Sequence, residues 1–158
     1  MFTGSRGWLD KSKIKNLLLA YKGKDVTLVH GGAKGLDSIV DEVGKELGFK
    51  FDVFIPDWSK GKVAALNRNI DMLDTNPDIV YAFCLDKSSG TMHTITNAKK
   101  MNLKIEEFHM TTEEMVKEAA YKIIFADKLS AMLAEKTNDG KTIYVDSKSK
   151  THKILSPT

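Results

Sequence analysis

The segment Val26–Ser38, VTLVHGGAKGLDS, constrains the fold more than any other part of the chain. It begins as an apolar, β-prone run and stops at a glycine pair, which is typical of a strand that ends in a tight turn. The apolar residues after the turn recur at the spacing of one helical face: Leu36, Ile39, Val40, Val43 and Leu47. A strand, a glycine turn and an amphipathic helix in this order predict one βα unit of an α/β domain.

The glycines of this turn, Gly31, Gly32 and Gly35, also suggest a ligand. Glycines let backbone amides approach an anion, and the helix that follows adds the positive end of its dipole. Their order matches neither the P-loop nor the G-x-G-x-x-G fingerprint. Two interpretations therefore stay open: a phosphate-binding turn, and a tight βα turn without a ligand.

The chain opens with a second junction of this kind. Met1 and Phe2 can build only a short first strand, the turn after it is Gly4-Ser5-Arg6, and a helix is expected from about Asp10. Asp10 or Ser12 can cap this helix by accepting a hydrogen bond from one of its first amides.

Two more junctions follow. The strand Phe51–Ile55 leads through Pro56-Asp57-Trp58 to a helix that is expected to carry Asn67-Arg68-Asn69 at its start. The strand Ile79–Leu85 ends in Ser88-Ser89-Gly90-Thr91, another small-residue turn before a helix. Four such junctions would share one rim of a parallel sheet, the rim at which open α/β sheets bind ligands.

Taken together, the junction motifs resemble a known family. These motifs are Gly4-Ser5-Arg6 with Trp8, His30-Gly31-Gly32-Ala33-Lys34-Gly35-Leu36-Asp37, Pro56-Asp57-Trp58, Arg68-Asn69 and Gly90-Thr91. In order and spacing they resemble the YspA-like branch of the SLOG superfamily, which groups the DNA-processing protein A (Smf) proteins with the LOG phosphoribohydrolases. The resemblance covers roughly residues 1–108. It implies a Rossmann-like nucleotide-binding domain, a three-layer parallel sheet with helices on both faces, in a bacterial or phage protein.

The resemblance leaves three functions open, because this superfamily contains enzymes, DNA binders and ligand sensors. We expect first a protein that binds a nucleotide or nucleotide derivative as a sensor, carrier or sequestering module. An alternative is a LOG-like N-glycosidase of nucleoside 5′-monophosphates, with Asp37 and Arg68 as its catalytic residues. LOG enzymes carry a glutamate in this region, and the shorter Asp37 is an objection because catalysis depends on placement within about an ångström. A further alternative is single-stranded DNA binding, favoured by the GGAKGLD form of the motif.

Ligand contacts are expected from residues of all four junctions: Gly4, Ser5, Arg6, His30, Gly31, Gly32, Gly35, Asp37, Trp58, Arg68, Asn69, Gly90 and Thr91. In this hypothesis the arginines bind phosphate, Asp37 holds ribose hydroxyls, and Trp58 stacks on a base. Each residue also has an ordinary structural alternative. Arg6 could pair with a surface acid, Asp37 could merely complement the helix dipole, and Trp58 could seal the edge of the core.

The distribution of charge speaks against extensive nucleic-acid contacts. The chain has 24 basic and 21 acidic residues, a net charge of +3. Residues 141–158 hold four lysines against Asp146 alone, so the first 140 residues are balanced. A protein that binds many phosphates usually carries a basic excess on its surface.

Other features bound the class of protein. No apolar run approaches the length of about 20 residues that a membrane helix needs, and no signal segment precedes Gly4, so a cytoplasmic location is expected. Cys84 lies within an apolar run and is expected to be a packed thiol. No His, Cys or Asp set has metal-ligand spacing, so neither a metal nor a cofactor is expected.

Residues 109–158 are expected to form an appendage to the domain of residues 1–108. Thr111-Thr112-Glu113-Glu114 is typical of a helix start, and residues 142–145 and 152–155 are expected to pair as a β-hairpin. Three uses of the appendage stay open: covering the sheet or helix layer, forming a homo-oligomer through the helix from Glu113, and contacting nucleic acid.

Overall fold

Strands and helices alternate along the computed structural model, which describes residues 1–132, 135–136, 142–145 and 152–154, with side chains to residue 126. The chain divides into two compact units, Met1–Met115 and Val116–Thr158. The first contains β1 (Phe2–Gly4), α1 (Lys11–Leu19), β2 (Thr27–His30), α2 (Leu36–Leu47), β3 (Lys50–Val53), a 3-10 helix (Trp58–Val63), α3 (Ala64–Asp74), β4 (Val80–Leu85), α4 (Ser89–Lys100) and β5 (Ile105–Met110). Helix α5 (Thr112–Met132) begins in the first unit and continues in the second.

The strands of the first unit are all parallel to their partners. Strands β1, β4 and β5 pair in that order, and β2 pairs with β3. Because β1 also contacts β2, the strands follow one another in space as β3-β2-β1-β4-β5. This is the doubly wound order, in which the chain reverses direction across the sheet between β1 and β4. The predicted Rossmann-like α/β fold is confirmed.

Strand β4 is buried along its whole length and separates two helix layers. Tyr81, Phe83 and Leu85 pack in a core with residues of α1 and α2. Val80 packs with residues of α3 and α4, and Cys84 packs beside Ile95 of α4. The two sets alternate along the strand because successive side chains of a strand point to opposite faces. The expected packed thiol is confirmed: Cys84 is 1% exposed, and burial raises its pKa.

Short sequence motifs account for two of the helix ends. The Asp10 carboxylate accepts a hydrogen bond from the Ser12 amide at 3.1 Å, so the predicted start of α1 is confirmed. Helix α2 ends at Gly48, whose φ of +81° suits glycine and whose amide donates to the Gly44 carbonyl. The first strand, which was expected to be short, is three residues long.

Two features of the first unit differ from the sequence prediction. Strand β5 was not predicted, and it pairs with β4 from Val80 opposite Ile105 onward. Helix α3 begins at Ala64, so Arg68 and Asn69 lie in its second turn and not at its start. The reason is the 3-10 helix before it, which Asp57 caps by accepting from the Ser59 amide at 3.2 Å.

The predicted start of α5 is confirmed by a reciprocal cap. The Glu114 amide donates to Thr111 Oγ1 at 3.1 Å, and the Thr111 amide donates to Glu114 Oε2 at 2.8 Å. Further along the helix, several large apolar side chains are exposed: Val116, Tyr121, Ile123, Ile124 and Phe125.

The second unit also contains β6 (Glu135–Lys136), β7 (Thr142–Val145) and β8 (His152–Ile154), which pair antiparallel in that order. Pairing of β7 with β8 confirms the predicted hairpin, although its last expected residue, Leu155, lies outside the described residues. Among the helices that the structure describes, none combines the length and the apolar character needed to cross a membrane.

Candidate functional site

A pocket of about 460 Å³ opens in the first unit where the chain leaves β1 and β4. This is the point of the sheet at which the chain direction reverses, the usual ligand position in doubly wound folds. Most of the residues that the sequence singles out line this pocket together: Gly4, Ser5, Arg6, Asp37, Arg68, Asn69, Gly90 and Thr91. Residues from four separate stretches of the chain therefore meet in one cavity.

Ser5 joins the ends of the two central strands. Its side chain is buried, and Oγ accepts a hydrogen bond from the Leu85 amide at 2.8 Å. The same Oγ lies 3.5 Å from Thr91 Oγ1, which in turn lies 3.0 Å from Ser88 Oγ. Three hydroxyl groups thus form a continuous polar wall at the beginning of α4.

The beginning of α4 has the properties of an anion site. Ser88 precedes the helix, but its side chain does not cap the helix. The first amides of a helix have no partner within it, and they carry the positive end of the helix dipole. Ser88, Ser89, Gly90 and Thr91 all line the pocket, so this helix end meets the cavity.

Arg6 supplies a positive charge at the same place. Its side chain is exposed and lines the pocket. Among the described residues, no acidic side chain forms an ion pair with it. The guanidinium is therefore available to a phosphate or carboxylate, which it can bind through two parallel hydrogen bonds.

Asp37 places a carboxylate in the pocket from the first turn of α2. Its Oδ2 accepts hydrogen bonds from the amides of Gly31 at 3.2 Å and Ala33 at 3.1 Å. Its Oδ1 is buried and has no hydrogen-bond partner within the described part of the chain. Burial raises the pKa of this carboxyl group, an effect that the two amides, His30 and Arg68 oppose. One oxygen thus organises the turn, and among the described residues the other has no donor.

The glycines of the turn after β2 support the site without forming its wall. Gly31, Gly32 and Gly35 do not line the pocket. The amides of Gly31 and Gly32, which were expected to approach a phosphate, donate to Asp37 and His30 of the protein. Gly35 has a φ of +76°, and a side chain there would collide with the backbone of Arg6. Glycine is needed at this position because two chain segments approach closely.

Arg68 is held by the protein more than its motif suggests. Its Nη1 donates to the carbonyl oxygens of Gly31 and, at 3.0 Å, of Phe54. Its Nε donates to Asn69 Oδ1 at 2.9 Å, and Asn69 Nδ2 donates to Thr94 Oγ1 at 2.9 Å. Arg68 therefore fastens the ends of β2 and β3 to α3, while it also lines the pocket.

Two other expected ligand residues lie away from the pocket wall. His30 is 1% exposed and contacts the turn, α2 and the Phe51 ring of β3. Trp58 is 59% exposed on the 3-10 helix, so it does not seal the core. A stacking role for Trp58 stays a prediction.

Sequence reasoning missed several residues of the wall: Thr3, Gly7, Ala33, Ala65, Leu66, Met72, Leu85, Ser88 and Ser89. The spacing of residues along α3 could have predicted two of them. Ala65, Arg68 and Met72 recur at the spacing of one helical face, so assigning Arg68 to the pocket implies that the other two lie beside it. Within the described residues, no group of three or more His, Cys, Asp or Glu side chains could hold a metal ion.

Known proteins support the family that the motifs suggest. Residues 1–61 match the family model described as YspA, cpYpsA-related SLOG family. The chain is 33% identical over 117 residues to a protein named Gene 61 protein of Mycobacterium phage D29. That alignment covers 68% of this chain and 94% of the phage protein, and a phage relative agrees with the expected bacterial or phage setting. No solved structure matches significantly. On these grounds, and on the fold, the chain belongs to the YspA, cpYpsA-related SLOG family.

Proposed function

We propose that this protein binds a nucleotide or a nucleotide derivative in the pocket at the carboxyl ends of β1 and β4. The observation that carries the proposal is the meeting of two complementary groups in one cavity. The uncapped beginning of α4 and Arg6 favour an anion, and Asp37 Oδ1 requires a hydrogen-bond donor. A phosphorylated sugar presents both chemistries on one small molecule.

The anionic part of the ligand fits the α4 side of the pocket. Helix amides and an arginine together make a common phosphate site. The hydroxyls of Ser5, Ser88 and Thr91 add donors along the same wall. A phosphate bound there would lie against α4 and beside the ends of β1 and β4.

The sugar of the ligand fits Asp37. A buried carboxylate oxygen without a partner is costly, and a hydroxyl donor from a ligand removes that cost. Ribose, with its neighbouring hydroxyls, is one nucleotide component that can donate to it.

The size of the pocket agrees with a small ligand. About 460 Å³ lies within the range of roughly 300–1,000 Å³ that is usual for small-molecule sites. Leu66, Met72 and Leu85 give the cavity apolar surface beside its polar wall. Such a mixture suits a molecule with an apolar ring system and a charged end.

A titration by calorimetry tests the proposal with adenosine 5′-monophosphate, adenosine and inorganic phosphate, together with the corresponding guanosine, cytidine and uridine compounds. We expect at least one nucleotide to bind more tightly than either its nucleoside or phosphate alone. Arg6→Gln should weaken nucleotide binding about tenfold or more, since a hydrogen bond to a charged group contributes about 1.5–3 kcal/mol. Lys22→Gln, which removes an exposed charge outside the pocket, is the matched control. Equal binding of nucleotide and nucleoside would contradict the proposal.

One observation favours a second candidate, hydrolysis of the N-glycosidic bond of a nucleoside 5′-monophosphate. Asp37 is a buried carboxyl group with a raised pKa and an unpartnered oxygen beside the proposed phosphate site. A carboxylate in that position can stabilise an oxocarbenium-like sugar, while the α4 end and Arg6 hold the phosphate.

A further inference from the structure

His30 has two ring nitrogens with different tasks. Its Nδ1 accepts a hydrogen bond from the Gly32 amide at 3.1 Å. Because an amide N–H can only donate, Nδ1 carries no proton in this arrangement. The proton of the neutral ring is therefore on Nε2, which lies 3.4 Å from Asp41 Oδ1.

The contact between His30 and Gly32 fixes the middle of the glycine turn. Gly32 lies between Gly31 and Ala33, whose amides both donate to Asp37 Oδ2. If Gly32 rotates, its neighbours cannot keep both amides directed at one carboxylate oxygen. The glycine turn therefore connects His30 with Asp37, although His30 does not line the pocket itself.

We infer that His30 is a positioning residue for this pocket: its unprotonated Nδ1 holds the Gly32 amide, and protonation of Nδ1 releases the turn and weakens ligand binding. The binding part of this inference rests on the proposed function, whereas the tautomer and the turn do not. A protonated Nδ1 would direct one donor at another, so the contact with Gly32 would become repulsive.

The charged groups around His30 decide at which pH this happens. Asp37, Asp41 and Lys45 face the ring from α2, the uncharged Phe51 ring of β3 lies 5.6 Å away, and Arg68 of α3 binds the neighbouring Gly31 carbonyl. Burial lowers the pKa of His30 and outweighs the two aspartates, which raise it. Lys45 lies 2.5 Å from Asp41 Oδ2 and also lowers the pKa of His30. The ring is therefore neutral at neutral pH and gains a proton only below the ordinary histidine range.

Nuclear magnetic resonance of the ligand-free protein tests the tautomer directly. We expect the nitrogen shifts of His30 at neutral pH to show a proton on Nε2 and none on Nδ1. On acidification, the amide shift of Gly32 should change with the same midpoint as the protonation of Nδ1. A proton on Nδ1 at neutral pH, or a Gly32 amide that does not follow the titration, would overturn the inference. This measurement uses the native chain, so it decides the question even if a variant fails to fold.

Two substitutions test whether the hydrogen-bond acceptor at the position of Nδ1 matters, independently of the imidazole ring. The amide oxygen of His30→Asn can take the place of Nδ1, whereas the longer side chain of His30→Gln carries its amide to the place of Nε2. With ribose 5-phosphate as the probe, we expect His30→Gln to bind about tenfold more weakly than His30→Asn, the factor for one lost hydrogen bond. Equal affinities of the two variants would argue against a role for Nδ1.

The dependence of ligand affinity on pH gives a further test, because a residue with only a structural role would not change it. On acidification, the native protein should lose more affinity for ribose 5-phosphate than the His30→Asn variant does. Dividing the native affinity by that of the variant at each pH removes the effect of the probe's own titration. Lys45→Ala should move that fall to higher pH, because Asp41 then acts on His30 without its lysine partner. An unmoved profile would contradict the mechanism. If the probe bound no variant at any pH, the proposed function would fail while the test of the tautomer would stand.

Discussion

Arg68 of α3 donates a hydrogen bond from Nη1 to the carbonyl oxygen of Gly31 at the end of β2. The same nitrogen reaches the Phe54 carbonyl after β3 at 3.0 Å. A side chain that its motif suggests as a phosphate ligand is therefore also a clamp between strands. This relationship predicts that its substitution affects the stability of the protein as well as ligand binding.

We expect Arg68→Lys to lower the free energy of unfolding by about 1–3 kcal/mol, because lysine cannot supply the planar fork and leaves buried acceptors without donors. Denaturation by urea measures this change. Arg6→Gln, at an exposed side chain, should leave the free energy of unfolding nearly unchanged. If the two variants were equally stable, the clamp would not contribute to the fold.

Asp37→Asn is expected to weaken ribose-phosphate binding about tenfold or more, since the site loses a charged acceptor for a ligand hydroxyl. The amide oxygen of asparagine can still accept from Gly31 and Ala33, so the turn should survive. Binding of inorganic phosphate should change little, and calorimetry with both ligands measures the difference. Asp71→Asn, an exposed substitution outside the pocket, is the control, and an equal effect there would contradict the assignment.

The same variant makes a prediction about stability and pH. Burial raises the folded-state pKa of Asp37 above its value in the unfolded chain. At pH values between these two pKa values, the folded state therefore binds more protons than the unfolded state. Stability from this group is therefore lost as pH rises from the unfolded pKa through the folded one. Asp37→Asn should raise the melting temperature at neutral pH and have less effect in strong acid. A lower melting temperature at neutral pH would show that the ionised carboxylate stabilises the fold.

Gly35→Ala should destabilise the protein more than Gly23→Ala. Both glycines have a positive φ, +76° and +82°, at which a side chain is strained. Only at Gly35 would the added carbon meet other atoms, the backbone of Arg6. We expect a further loss of about 1–3 kcal/mol from overpacking, measured by urea denaturation. Equal losses in the two variants would mean that the turns at Gly35 and Arg6 can move apart to make room for the added carbon.

The hydrolytic candidate predicts release of free base from a nucleoside 5′-monophosphate, detected by chromatography. Release should be abolished in Asp37→Asn, and Lys22→Gln should keep it. If ligands bind and no base appears across the panel, the binding proposal stands alone. Oligomer formation through α5 stays a prediction, which sedimentation at several concentrations can address.

Local sequence predicts the fold where local signals determine it. The Asp10 cap, the Thr111–Glu114 cap and the glycine turn follow from short motifs, and each appears where expected. Strand β5 was not predicted because Glu106, Glu107 and His109 interrupt its apolar pattern. Its extended conformation depends on pairing with β4 more than on its own composition. An edge strand with polar residues gives little periodic signal.

The site was only partly predictable for a different reason. Sequence order brings Ser5, Arg6, Gly90 and Thr91 to one rim, and they do share the pocket. Sequence alone does not reveal that Asp37 and His30 already accept from the glycine-turn amides. It also does not reveal that Arg68 reaches a carbonyl 37 residues away. Such contacts depend on tertiary packing, which shifts the proposed anion site from the glycine turn to the beginning of α4.

The most direct test is a titration of the labelled native protein with ribose 5-phosphate, followed by nuclear magnetic resonance of its backbone amides. This probe carries only the phosphate and hydroxyl groups that all ribonucleotides share. We predict that the largest shifts occur at Ser89, Gly90 and Thr91, with smaller shifts at Gly31 and Ala33, whose amides Asp37 holds. An absence of shifts at millimolar probe, or shifts confined to residues outside the pocket, would contradict the account.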